Sequence, residues 1–223
     1  MKKIIILLVA LFCFNPAAWA LELIQNRVDS LVFIGISTTR NFYASVYPFT
    51  AGFYLGQYFA VGAEYGTGHF EISTNLFNND RQRGDYTTSG GYLRFYPMRT
   101  LNFYLGYYHN TWQGDFHMDV CSGFDIFCLD PVGQIDTEME VETNVAVLGI
   151  SNQWILDFGL TITGDWFGYN QVVGSKKTTA VKENSYSQDL NDDAQDAIDD
   201  LADDAVRISG LPGVLTLTLT WSF

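Results

Sequence analysis

The sequence predicts an all-β fold: an eight-stranded antiparallel up-and-down transmembrane β-barrel, with short periplasmic turns, long extracellular loops and one loop partly helical. Three observations predict it. First, residues 214–223, "VLTLTLTWSF", alternate strictly. Leu215, Leu217, Leu219, Trp221 and Phe223 share one face, and Thr216, Thr218, Thr220 and Ser222 share the other. A period of two is a strand, and a pattern this clean means that its two faces meet different media. Second, short and long connections alternate around an even number of strands, the layout of an outer-membrane barrel. Third, the inner faces carry Glu64, Arg94, Asp157 and Asp165, charges that a dry soluble core would exclude. A soluble lipocalin-like barrel, which turns its apolar face inward, is the rival reading.

Residues 1–20 come off before the strands are counted. Lys2 and Lys3 precede an apolar run over 4–14, and Ala18-Trp19-Ala20 closes it. That is a charged n-region, a short h-region and an A-x-A cleavage site, so it reads as a secretory signal peptide cleaved near Ala20. The run is too short for a membrane span of about 20 residues. Phe12 stands before Cys13 where a lipoprotein signal needs a small residue. The remainder, 21–223, suits one barrel domain. Of the 12 Lys and Arg, two leave with the leader, against 25 Asp and Glu. A chain this acidic has no basic stripe for phosphates, which excludes nucleic acid as a partner.

Eight segments alternate. They cover 31–39, 42–55, 58–72, 85–97, 101–116, 138–150, 154–169 and 214–223. The first places Val32, Ile34 and Ile36 together. The second groups Tyr43, Tyr47, Phe49, Ala51 and Phe53. The third sets Phe59, Val61, Ala63 and Tyr65 against Ala60, Gly62, Glu64, Gly66 and Gly68. The fourth sets Leu93 and Phe95 against Tyr92, Arg94 and Tyr96. The fifth aligns Phe103, Leu105 and Tyr107. The sixth aligns Met139, Val141, Val145 and Val147, although Leu148 and Ile150 argue for the opposite phase. The seventh sets Trp154, Leu156, Phe158, Leu160 and Ile162 against Asp157, Thr161, Thr163 and Asp165. Tight turns are expected at 56–57, 98–100 and 151–153. The other connections run from 39–41 through 73–84 and 118–137 to the acidic loop 170–210. Segments of about 9–11 residues cross a bilayer when tilted, and most of these are that long.

Trp154, Trp221 and Phe223 gather at the short-turn end, and Trp112 and Trp166 towards the other, as in the aromatic girdles of membrane barrels. With the signal peptide, the loop pattern and the "WSF" ending, the chain resembles the small outer-membrane β-barrel proteins of Gram-negative bacteria, the OmpA/OmpX class. The resemblance implies an outer-membrane location. It implies lipid and lipopolysaccharide as surroundings. It also implies that Leu219, Trp221 and Phe223 act as a C-terminal signal to the barrel-assembly machinery. The ending departs from the Y-[RK]-F of well-known members, so the class is indicated and no subfamily.

An eight-stranded barrel encloses a space that side chains just fill. Glu64, Arg94 and Asp165, with Glu140 and Glu142, form the expected lumen charge cluster. Two readings stay open. The charges pair and plug the barrel, or Arg94 exchanges carboxylates and gates a narrow, porin-like water path.

Cys121 and Cys128 lie in the third long loop, and an exported chain meets an oxidising compartment, so an intraloop disulfide is expected. A metal site of these thiols with His117 or His109 is the weaker reading, since no ligand spacing supports it. No cofactor is expected.

The stretch "SQDLNDDAQDAIDDLADDAVRISG" places Leu190, Ala194, Ala197, Ile198, Leu201, Ala205 and Ile208 at three- and four-residue spacing. It is an amphipathic helix, with Ser187 as N-cap and Asp192, Asp193, Asp196, Asp199, Asp200, Asp203 and Asp204 as its acidic face. A calcium loop fails on Ala194 and Asp200, which stand where glycine and glutamate are needed. The acidic face either solvates a surface loop or docks a surface partner. Its apolar stripe needs something to lie on.

His117 sits between Asp115 and Asp119, and His109 precedes them. A base beside a carboxylate is half a catalytic site. No serine motif accompanies it, so the expected protein is not an enzyme. A hydrolase at the barrel rim is the remaining alternative. The expected role is structural or interactive: envelope integrity, adhesion or ligand contact through loops.

Overall fold

Phe33 pairs with Ser222 and Ser37 with Thr218. These pairings join the first strand to the last and close the sheet. The computed structural model describes residues 27–38, 44–73, 81–121, 131–156, 158–182 and 188–223. Its elements are β1 (Val32–Ser37), β2 (Ala44–Val46), β3 (Phe49–Leu55), β4 (Phe59–Ser73), β5 (Arg81–Phe95), β6 (Leu101–Cys121), β7 (Pro131–Ile155), β8 (Leu160–Val181), α1 (Gln188–Ser209) and β9 (Gly213–Ser222). Every strand pairs antiparallel with its neighbour. β2 and β3 are halves of one barrel strand. Both pair with β4 in a single register, and Tyr47-Pro48 interrupts them. Pro48 has no N–H to give a ladder, which is why the expected strand 42–55 breaks there.

The alternation sorts the two faces. Thr216, Thr218, Thr220 and Ser222 are buried inside, while Leu217, Leu219, Trp221 and Phe223 are exposed outside. Outward side chains of β6 run Phe103, Leu105, Tyr107, and then turn polar at Thr111, Gln113, Asp115 and His117. β4 changes in the same way after Tyr65. The resulting apolar belt, roughly eight residues tall on tilted strands, is on the order of the ~25 Å band of outer-membrane barrels. Above it the wall continues, because β6 has 21 residues and β7 has 25.

Several expected boundaries are corrected. Residues 151–153 are strand. The chain reverses between Leu156 and Leu160, where Leu156 donates its N–H to Leu160 and Gly159 takes φ 89°. Within the acidic loop 170–210, β8 continues to Val181 and the helix spans Gln188–Ser209. β6 and β7 likewise consume most of the expected loop 118–137.

The phase of β7 is the opposite one. Met139, Val141, Val145 and Val147 are buried inside, and Leu148 and Ile150 face out. Their apolar contacts come from α1 and from interior tyrosines, which alternation within one strand does not reveal. Glu140 and Glu142 consequently leave the lumen cluster for the outer wall, where Glu142 lies 3.9 Å from Lys176.

β8 carries two bulges. Ile150 pairs with Phe167 and Ser151 with Asp165, leaving Trp166 extra, and Val173 is extra in the same way. The first bulge reverses the strand's phase. Without it, Phe167 and Tyr169 would follow Asp165 into the interior. With it, Gly168 turns inward and both aromatics join the outer belt.

Candidate functional site

The candidate site is the barrel interior, which is filled at successive levels from the short-turn end to the long-loop end. At the short-turn end, Phe33, Tyr54, Ala60, Tyr92, Tyr96 and Ile155 form a buried cluster. Beside it, Gln153 Nε2 donates to Tyr54 Oη at 3.2 Å, and the Thr161 and Ser222 hydroxyls lie 2.9 Å apart.

At the next level stands Arg94. Its Nη1 donates to Asp165 Oδ1 at 2.8 Å, to Ser151 Oγ at 2.7 Å and to Asn102 Oδ1 at 3.1 Å. Nη2 reaches Asp165 Oδ2 at 3.2 Å. Ser151 also bonds Asn102. Tyr92 and Tyr104 flank the guanidinium, each 5.0 Å away. Thus the carboxylate that Arg94 grips is Asp165, on the far side of the sheet order. Glu64 is buried inside and accepts a 3.5 Å bond from Ser37 Oγ. Of the expected lumen residues, Arg94 and Asp165 are brought together, Glu64 lines the same interior, and Glu140 and Glu142 do not. Asp157 lies outside the described residues.

Space for the ring-bearing residues comes from glycines opposite them. A Cβ at Gly149 would sit 2.3 Å from the Tyr104 ring, and one at Gly62 would sit 2.5 Å from that of Tyr92. Small residues facing large ones is how a narrow barrel packs its interior. Above Tyr104, a cluster of Tyr108, Val145 and Val147 continues the filling, with Val172 against it.

At the long-loop end the helix α1 lies in the mouth. Ile198, Ala202 and Ala205 are buried against Phe70, Trp112, Phe116, Met139 and Val141, and Ala194 is buried as well. Trp112 Nε1 and Thr143 Oγ1 both donate to Ser209 Oγ at 3.2 Å, which anchors the last turn. Of the apolar stripe recognised in the sequence, Ile198, Leu201, Ala205 and Ile208 lie on the barrel's own inner wall, Ala197 is exposed, and the Leu190 side chain lies outside the described residues. Asp192, Asp193, Asp196, Asp200, Asp203 and Asp204 are exposed, and Asp199 bonds Thr179. Lys177 of β8 meets Asp203 at 2.6 Å. Ser187, Cys128 and the Cys121 side chain lie outside the described residues, so the N-cap and the disulfide do too.

The histidines sit on the outer wall. His117 Nδ1 is 2.5 Å from Asp136 Oδ1 across the β6–β7 ladder, and His109 is 3.1 Å from Asn144. Asp115, expected beside His117, takes an ion pair from Lys182 at 3.3 Å, and the Asp119 side chain lies outside the described residues. Lys182 also pairs with Glu138 at 3.1 Å, and these bonds raise its pKa from the ordinary lysine value. Asp115, Glu138 and Glu140, together with Arg83, Asp85, Gln113 and Thr178, line an open recess of about 510 Å³ in this wall.

The ring of paired strands decides the architecture. The chain is a closed eight-stranded β-barrel. No family model matches it, and no curated protein does. Among solved structures it is similar to the crystal structure of Acinetobacter baumannii CarO, at 12% identity and a TM-score of 0.43, over 87% of this chain and 98% of that one. It is also similar to CarO2 of the same organism, at 13% identity and a TM-score of 0.47, over 86% of this chain and 99% of that one. At these identities the likeness concerns fold.

Trp112, expected in an aromatic girdle, is instead 2% exposed in the interior, where its indole N–H holds Ser209. Sequence reasoning missed Ser209, Tyr104 and Arg27. Trp112 and Tyr104 had a signal. Aromatics spaced by two from inward glycines, as in "GGY" at 90–92, mark the large-over-small packing of an interior face.

Proposed function

We propose that this protein is an outer-membrane β-barrel with a closed lumen, working through its surface rather than as an open channel. The observation that carries the reading is the filled interior: Arg94 bonded to Asp165, Ser151 and Asn102, with α1 seated in the mouth above. Eight strands leave no room for a water column beside such contents. The apolar outer belt supports a membrane setting, since exposed apolar area on this scale is unstable in water. The export signal and the outward Leu219, Trp221 and Phe223 support the outer membrane and recognition by its assembly machinery.

On this reading the long-loop end faces outward and presents the aspartate face of α1 and the acidic wall recess. The role is structural or interactive, in envelope integrity, adhesion or contact with a surface ligand. We read the chain as non-enzymatic: the His117–Asp136 pair would be half a catalytic site, and the sequence offers no nucleophile motif to go with it.

Planar-bilayer recording of the refolded full chain tests the closure. The expected result is a silent membrane across neutral and acidic pH. Steady unitary currents in the unaltered protein would instead favour a pore. Detergent extraction from the envelope fraction tests the location, and recovery as a freely dissolved species overturns it.

A further inference from the structure

Arg27 precedes the first strand, yet it is only 2% exposed. Residues 27–29 are helical, and Leu31 donates its N–H to the carbonyl of Phe223 at 2.6 Å. This short arm therefore starts from the seam where β1 meets β9. Its guanidinium turns into the short-turn mouth and stacks over the ring of Tyr96, with Cζ 4.3 Å from the centroid. Nη1 donates to the carbonyl of Gln57 at 3.3 Å, and Nη2 donates to that of Arg99. Gln57 lies in the β3–β4 turn and Arg99 in the β5–β6 turn. One side chain thus ties two different hairpins to a third element.

We propose that residues 27–31 form a built-in stopper of the short-turn mouth, with Arg27 as its pin. The chemistry suits the task. A guanidinium is planar and offers donors in a fork, so it can stack on a ring and bridge two carbonyls at once. Tyr96 lies beneath it at 1% exposure, so the pin covers the floor of the lumen. Burial lowers the pKa of Arg27 from its ordinary value, and the neighbouring Tyr96 and Tyr54 oppose that shift. The inference deepens the closed-barrel reading by assigning its lower seal to a segment outside the strands.

A thiol at Ser222 reports the seal, because Ser222 faces the interior near this end and is 5% exposed. The refolded full chain carrying Ser222→Cys is treated with a bulky membrane-impermeant maleimide, and the chain without that substitution corrects for Cys13, Cys121 and Cys128. Labelling is expected to be slow, at least tenfold faster when Arg27→Ala is added, and intermediate with Arg27→Lys, whose ammonium keeps the charge but cannot stack and bridge two carbonyls at once. Equal rates in the Arg27 and Arg27→Ala backgrounds, or fast labelling in both, overturn the stopper. A silent bilayer with equal rates leaves the closed barrel standing and removes only the stopper; unitary currents remove the closed barrel itself.

A measurement without variants covers the case in which Arg27→Ala does not fold. An arginine-selective dicarbonyl, followed by peptide mass mapping, is expected to modify the exposed Arg83 and Arg207 and to spare Arg27. Modification of Arg27 at their rate overturns the proposal.

Discussion

Arg94 and Asp165, 71 residues apart in the chain, meet inside the barrel as a two-pronged ion pair, with oxygens 2.8 Å and 3.2 Å from the two guanidinium nitrogens. Both side chains are less than 5% exposed. The pair joins β5 to β8 across the interior, which ladder hydrogen bonds cannot do. It fixes the barrel's cross-section at that level.

Removing one member strands the other charge where water does not reach. Arg94→Met or Asp165→Asn should each lower the unfolding free energy by about 3–5 kcal/mol. The double variant Arg94→Met/Asp165→Leu should recover most of that loss, because no uncompensated charge remains. Urea unfolding in detergent micelles, followed by tryptophan fluorescence, gives all three values. A double variant as unstable as the worse single one would show that the pair acts otherwise.

The helix plug rests on a narrow apolar stripe. Ile198 is fully buried among Phe70, Trp112 and Met139. Ile198→Ala should cost about 2–4 kcal/mol of docking free energy through the cavity it leaves. Hydrogen exchange should then accelerate over 188–209 while the strands stay protected. Uniform loss of protection through β5–β8 would mean that helix and barrel unfold as one unit.

Glycine opposite tyrosine is a steric contract. Gly149→Ala should destabilise by about 1–3 kcal/mol, since the new methyl meets the Tyr104 ring. Adding Tyr104→Leu should relieve most of the clash. A double-mutant cycle on thermal unfolding measures the coupling, and zero coupling would show that the wall yields instead of the ring.

Height along one strand decides what the outer face tolerates. Leu105→Arg, in the apolar belt, should cost about 2–4 kcal/mol in a lipid bilayer. Gln113→Arg, eight residues up the same strand, should change stability by less than about 0.5 kcal/mol. Equal costs at both sites would contradict the belt's upper edge at Tyr107.

The free upper edge of β8 has a local safeguard. Above Gly168 it has no partner in β9 among the described residues. Its sequence there includes Gly174, Lys176 and Lys177. Glycine and lysine blunt an edge that would otherwise recruit another strand.

Strand number and the inner threonine face were legible in the sequence because a period of two is a purely local property, and closure was expected from the even count and layout of the strands. So was the amphipathic helix, whose stripe follows from backbone geometry alone. The phase of β7 was legible only in part: Leu148 and Ile150 pointed to the phase it has, against Met139, Val141, Val145 and Val147. Met139 and Val141 look like lipid-facing residues until α1, more than 45 positions later, supplies their interior partner. Glu140 and Glu142 were misassigned for the same reason. The bulge at Trp166 escaped too, since one extra residue leaves no mark on composition but turns Phe167 and Tyr169 outward.

By itself, then, the sequence determined the period, the polarity of each face and the acidic character of the helix. These properties depend on neighbours two to four residues away. Only the tertiary structure decided that Arg94 faces Asp165, that α1 enters the mouth and that Arg27 reaches the turns of two hairpins. Those contacts join residues tens of positions apart, and their geometry exists only once the sheet has closed.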